Sequence, residues 1–108
     1  MKYQPDNWII LKIKQKNNDK EGYYFKVLGG WSGGYLDSDS WRMNSGIKEI
    51  IDNGDYWDII GSSGSTYRCH KEGENVRMNI AGILASLKKE YPDSVSEVII
   101  EEAISGVL

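Results

Sequence analysis

Ile47-Lys48-Glu49-Ile50-Ile51-Asp52-Asn53-Gly54-Asp55-Tyr56-Trp57-Asp58-Ile59-Ile60 reads as two β-rich runs around a single turn. Asn53-Gly54 is the strongest short-range turn signal in the chain, because both residue types tolerate the left-handed conformation that tight hairpins require. The flanks are rich in Ile, Tyr and Trp, so strands are predicted over Ile47–Ile51 and Tyr56–Ile60.

Upstream, Trp8 to Lys14 becomes alternating at its end, with Ile9, Leu11 and Ile13 on one side and Ile10, Lys12 and Lys14 on the other. The polar stretch Gln15 to Gly22 breaks that strand, and Tyr23 to Leu28 resumes it as the return arm of a hairpin. Gly29 to Gly34 (GGWSGG) reads as a backbone-permissive turn, followed by short strands near Tyr35-Leu36 and Trp41-Arg42-Met43. Downstream, Gly61 to Ser65 (GSSGS) turns the chain again. Thr66 to His70, Lys71 to Glu74 and Asn75 to Met78 then read as strand, turn, strand.

After Asn79 the period changes. Ile80, Ile83, Leu84 and Leu87 fall at helical spacing behind an N-cap at Asn79, and Tyr91-Pro92 ends that helix. Ser94-Val95-Ser96-Glu97 fits a capping box, which predicts a second helix with Val95, Val98, Ile99 and Ala103 on one face. Ile100 and Ile104 widen its apolar stripe, which raises a homodimer or partner contact through this helix against the plainer reading of a fully packed terminal helix.

The two halves match in order. Gly22, Tyr24, Gly29, Ser32 and Gly33 align with Gly54, Tyr56, Gly61, Ser63 and Gly64, and Arg-Met-Asn occurs at 42–44 and 77–79. A tandem β-meander repeat follows, with units 7–44 and 46–79 and helices over 80–108, all in one domain; shared hairpin chemistry is the competing explanation. The fold class is α+β, with seven or eight antiparallel strands in a small β-barrel or two-layer sheet and two C-terminal helices.

Composition sets the outer bounds. A formal charge of −3 and one cysteine, Cys69, argue against duplex nucleic acid held by a broad basic face and against an internal disulfide. The apolar runs are far shorter than the roughly 20 residues a spanning helix needs, so no membrane partner is expected. With no leader-like start, a cytoplasmic location is the default.

The repeat nominates paired residues: Ser32, Tyr35 and Arg42 in one copy, Ser63, Tyr67 and Arg77 in the other, with Ser65 in the second Gly/Ser loop. Two arginines, backbone donors and aromatic rings suit a small anionic ligand such as a nucleotide, held between the loops. The competing reading puts the aromatics in the core and the arginines at strand ends. Trp31 lies in a glycine turn where nothing local buries it, and is the best single contact residue, with Trp41 intermediate. Trp31 and the last helix therefore define a second reading, a module that binds a host protein.

Gly30-Trp31-Ser32-Gly33-Gly34 matches the G-x-S-x-G hydrolase pattern, which would make a small serine hydrolase with the sole histidine, His70. The strand-elbow-helix context is missing. Adjacent Cys69 and His70 point to opposite faces of a strand and do not form a nucleophile-base pair. No catalytic set, cofactor or metal set is expected, and Asp37-Ser38-Asp39 lacks the rest of a calcium loop.

The run Trp31 to Ile47 (WSGGYLDSDSWRMNSGI), with Gly61 to His70 (GSSGSTYRCH), resembles small proteins of bacteriophage and prophage genomes. The resemblance implies an accessory protein in the host cytoplasm that binds a host component or a signalling nucleotide. It carries no site residues.

Overall fold

The computed structural model describes residues 2–17, 20–31 and 40–107. Among them are eight strands: β1 Lys2–Tyr3, β2 Asn7–Asn17, β3 Lys20–Trp31, β4 Ser40–Met43, β5 Ile47–Asn53, β6 Tyr56–Gly61, β7 Thr66–His70 and β8 Val95–Val98. Two helices, α1 Met78–Glu90 and α2 Ile100–Val107, and a 3-10 turn at Lys71–Gly73 complete the described elements. The strands form two four-stranded sheets, an outer sheet in the order β1-β7-β6-β5 and a central sheet in the order β4-β3-β2-β8. Among the described residues both sheets are open, so the α+β two-layer arrangement holds and no closed barrel forms.

The central sheet is buried on both faces. On one face Trp8, Ile10, Phe25 and Val27 meet Ile59, Tyr67 and Cys69 of the outer sheet, with Ile100 and Ala103 of α2 wedged in beside them. On the other, Leu11, Leu28 and Val95 meet Ile80 and Leu84 of α1. This explains the run Trp8-Ile9-Ile10-Leu11, since a strand covered on both sides has no polar face to alternate with. Trp8 also ties the two sheets together, its indole N–H donating to the His70 carbonyl at 2.7 Å.

The 47–60 hairpin forms as its sequence demands, with Asn53 paired to Tyr56 and Gly54 at φ +80°. The Asp52 carboxylate accepts from the Gly54 N–H at 3.2 Å, a local bond that holds the turn.

Four local expectations are corrected by long-range contacts. Gly29, Gly30 and Trp31 end β3 rather than turning, because Pro5 packs on Gly29 so closely that a Cβ there would lie 2.9 Å from the Pro5 Cβ. The remainder of that predicted turn, 32–34, and the strand expected at Tyr35-Leu36 lie outside the described residues. Residues 75–78 are not a strand: α1 begins at Met78 with Arg77, not Asn79, at its N-cap, and the Arg77 carbonyl accepts from Ile80 and Ala81.

The predicted capping box over 94–97 is instead β8, which pairs with Ile10 to Ile13 and fills an edge of β2 that local sequence cannot reveal. The real start of α2 is capped from a distance, by Glu74 Oε2 accepting from the Ile100 N–H at 2.7 Å.

Each β unit supplies a three-stranded meander, β2-β3-β4 in the central sheet and β5-β6-β7 in the outer one. The two Arg-Met-Asn tripeptides do not take equivalent places. Arg42 and Met43 end a strand, whereas Arg77 precedes a helix.

Candidate functional site

Tyr3 is the centre of the candidate site. Parallel pairing of β1 with β7 sets Tyr3 beside Tyr67, with ring centroids 5.0 Å apart. Trp31 meets Tyr3 edge-on at 6.4 Å, and its indole N–H donates to the Gln4 carbonyl at 3.0 Å. Arg42, opposite Gly29 in the β3-β4 register, lays its guanidinium carbon 4.5 Å from the centre of the Tyr3 ring.

The result is a shelf of three aromatic rings graded from inside to outside. Tyr67 is buried, Tyr3 and Trp31 are half-buried, and Arg42 is exposed. Burial pushes the Tyr67 hydroxyl up to about 12, with the Arg42 charge opposing and Tyr3 and Cys69 adding, so Tyr67 stays a neutral phenol at physiological pH. Among the described residues Arg42 has no carboxylate partner.

Of the residues nominated from sequence, Trp31, Arg42 and Tyr67 converge here. Trp31 is less free than its glycine-rich surroundings suggested, because the segment before β2 supplies both its hydrogen-bond acceptor, the Gln4 carbonyl, and its ring partner, Tyr3. Trp41 points to the other side of β4, towards the α1 face with Met43, and is 47% exposed. Ser32 and Tyr35 lie outside the described residues.

Ser63 and Ser65 belong to the β6-β7 turn, which is tied down rather than open. Gly61 N–H donates to the Ser65 carbonyl at 2.8 Å, Ser62 N–H to the Gly46 carbonyl at 2.9 Å, and Ser63 N–H to the Ser45 hydroxyl at 3.2 Å. Donors already engaged do not form an anion nest. Arg77 sits at the start of α1, which covers the opposite face of the central sheet from Arg42, so the two arginines do not line one cleft.

The remaining reactive side chains are structural in their surroundings. Cys69 is fully buried, and desolvation pushes its thiol far up, away from the nucleophilic thiolate. His70, on the opposite face as its position requires, is exposed and stacks on Tyr56 with centroids 4.4 Å apart. On that solvent face Asp58 accepts two hydrogen bonds from Arg68, at 2.9 and 3.1 Å, and one from Asn53 at 2.9 Å. Arg68, first among the causes, holds the Asp58 carboxyl below its ordinary range.

No group of three or more His, Cys, Asp or Glu among the described residues is placed to hold a metal ion. No described helix is long and apolar enough to cross a membrane. In α2, Ile100 and Ala103 are buried and Ile104 and Val107 pack against the core, so most of the apolar stripe is used within the chain. Neither a known protein family, nor a curated protein, nor a solved structure matches this chain.

Proposed function

We propose that this chain is a non-enzymatic binding domain that takes a small, flat anionic ligand, of which a nucleotide is the leading case, at the Arg42 shelf. The observation that carries the reading is the exposed Arg42 guanidinium lying over the Tyr3 ring, with no carboxylate partner among the described residues. A guanidinium stacked on a ring keeps its N–H edge free for a phosphate or carboxylate, and the ring beneath it favours planar ligands. The same reading suits an accessory protein of the bacteriophage type, acting by sequestration or sensing.

Calorimetric titration with purine and pyrimidine nucleotides and with inorganic phosphate tests it. Saturable binding to at least one nucleotide is expected. Loss of one charge-assisted hydrogen bond by Arg42→Ala would weaken it by roughly 10- to 100-fold, while Arg77→Ala leaves it unchanged. Absence of saturation with every nucleotide, or equal weakening by both variants, sinks the reading.

A second reading, recognition of a host protein, is favoured by Trp41. This residue is exposed on β4, an edge strand of the central sheet, and Trp is among the residue types that most often anchor protein contacts. Its mark would be a partner lost with Trp41→Ala and retained with Arg77→Ala.

A further inference from the structure

On the α1 side of the central sheet, away from the Arg42 shelf, the chain forms a groove of about 370 Å³. That volume is at the low end of the roughly 300–1,000 Å³ typical of small-molecule sites. Ile13, Met43 and Val95 of the sheet line it together with Leu87 of α1, and Tyr91 and Ser94 of the α1-β8 link stand at the rim. The groove exists because the β2-β3 hairpin outruns its cover: an 11-residue strand extends for about 36 Å, whereas the 13 residues of α1 span about 20 Å.

Among the described residues one charged side chain lines the groove. Lys26 stands on β3 beside Tyr24, with its ammonium 5.9 Å from the Tyr24 ring centre, and has no carboxylate partner among the described residues. The nearby cation Lys88 is already paired, to Glu97 at 2.9 Å, so it does not compete for an incoming anion. An apolar trough whose wall carries one cation without a carboxylate partner among the described residues has a definite complement.

We propose that this groove binds a small amphiphilic monoanion, an apolar chain or ring bearing one carboxylate, with the apolar body over Ile13, Met43 and Leu87 and the carboxylate at Lys26. The site is separate from the Arg42 shelf. Arg42 and Met43 are neighbours on β4 and so point to opposite faces of the sheet.

Amide chemical-shift titration of the full chain with sodium octanoate tests the proposal, with octyltrimethylammonium as the charge-reversed probe. Saturable shifts confined to the groove residues are expected. Affinity should fall about fivefold in Lys26→Met, as for one partly exposed ion pair, and recover in Lys26→Arg. Ser94→Phe, which fills the rim, should abolish binding, and Arg42→Ala should leave it unchanged. The proposal is overturned by an absence of saturable shifts, by shifts centred elsewhere, by equal binding of the cationic probe, or by a loss of octanoate binding in Arg42→Ala.

Discussion

The two sheets are of equal strand number and solve different problems. The central sheet has apolar layers on both sides and is stabilised mainly by burial, while the outer sheet has one dry face and one wet face. On the wet face the side chains are held by charge and ring contacts: Asp58 between Arg68 and Asn53, His70 on Tyr56. Next to it, Lys71 bridges to Asp52 at 2.6 Å and lies over Trp57 at 4.4 Å. The difference teaches that one sheet is a scaffold and the other a surface whose order depends on solvent conditions.

The contrast breaks most sharply if equal truncations cost equal stability. Leu28→Ala, at a fully buried position of the central sheet, should cost about 2–5 kcal/mol. Ile51→Ala, on the outer sheet at 41% exposure, should stay within about 0.5 kcal/mol. Urea unfolding midpoints read both.

Next in size is Gly29→Ala. The new methyl meets the rigid Pro5 ring, so it should lift the N-terminal segment from β3 at a cost of about 1–3 kcal/mol. Because that segment carries Tyr3, the near-ultraviolet circular dichroism of the Tyr3, Trp31 and Tyr67 cluster should change with it.

The wet face should show itself through pH. Asp58 is 9% exposed and its carboxyl is held below the ordinary value of 3.8, mainly by Arg68. A depressed carboxyl adds stability that is fully present above its unfolded value and is lost as pH falls through the folded one. The stability gap between the natural chain and Asp58→Asn should therefore be widest near neutrality and close in strong acid. A gap independent of pH would remove the charge from the explanation.

Glu74→Gln should give the smallest change and the opposite slope. Burial, partly countered by the Ile100 N–H and assisted by Glu101, raises the Glu74 carboxyl above 4.5. A raised carboxyl contributes most below its unfolded value, and that contribution is lost as pH rises through the folded value. Glutamine keeps an acceptor for Ile100, so near neutrality the variant should match or slightly exceed the natural chain in thermal midpoint, and it should lose that advantage in acid.

What could be read from sequence was whatever is encoded within a few residues. Asn53-Gly54 specifies its own turn, Thr66 to His70 alternates, and Ile80, Ile83, Leu84 and Leu87 keep helical period, so each of these elements forms where expected. What escaped is decided by contacts across the chain. β1 is two residues long and exists because β7 lies beside it, β8 carries a helix-start pattern yet fills the edge of β2, and α2 takes its cap from Glu74.

The site divides in the same way. Trp31, Arg42 and Tyr67 stand out by residue type, whereas Tyr3 has no local signal and becomes central through a parallel pairing 64 residues away in sequence. The symmetry argument that nominated Arg77 failed because a repeated tripeptide fixes composition but not the element in which it lies.

The order of strands along the chain has a consequence for how the molecule is made. The chain visits the outer sheet with β1, the central sheet with β2 to β4, the outer sheet again with β5 to β7, and returns to the central sheet with β8. The outer sheet is completed only after β2 to β4 have been made, and the central sheet only after β5 to β7. During synthesis β1 must wait for β7, and the β2 edge stays open until residues 95–98 have emerged. A split after residue 45 should thus yield two fragments that are insoluble apart and recover only when mixed.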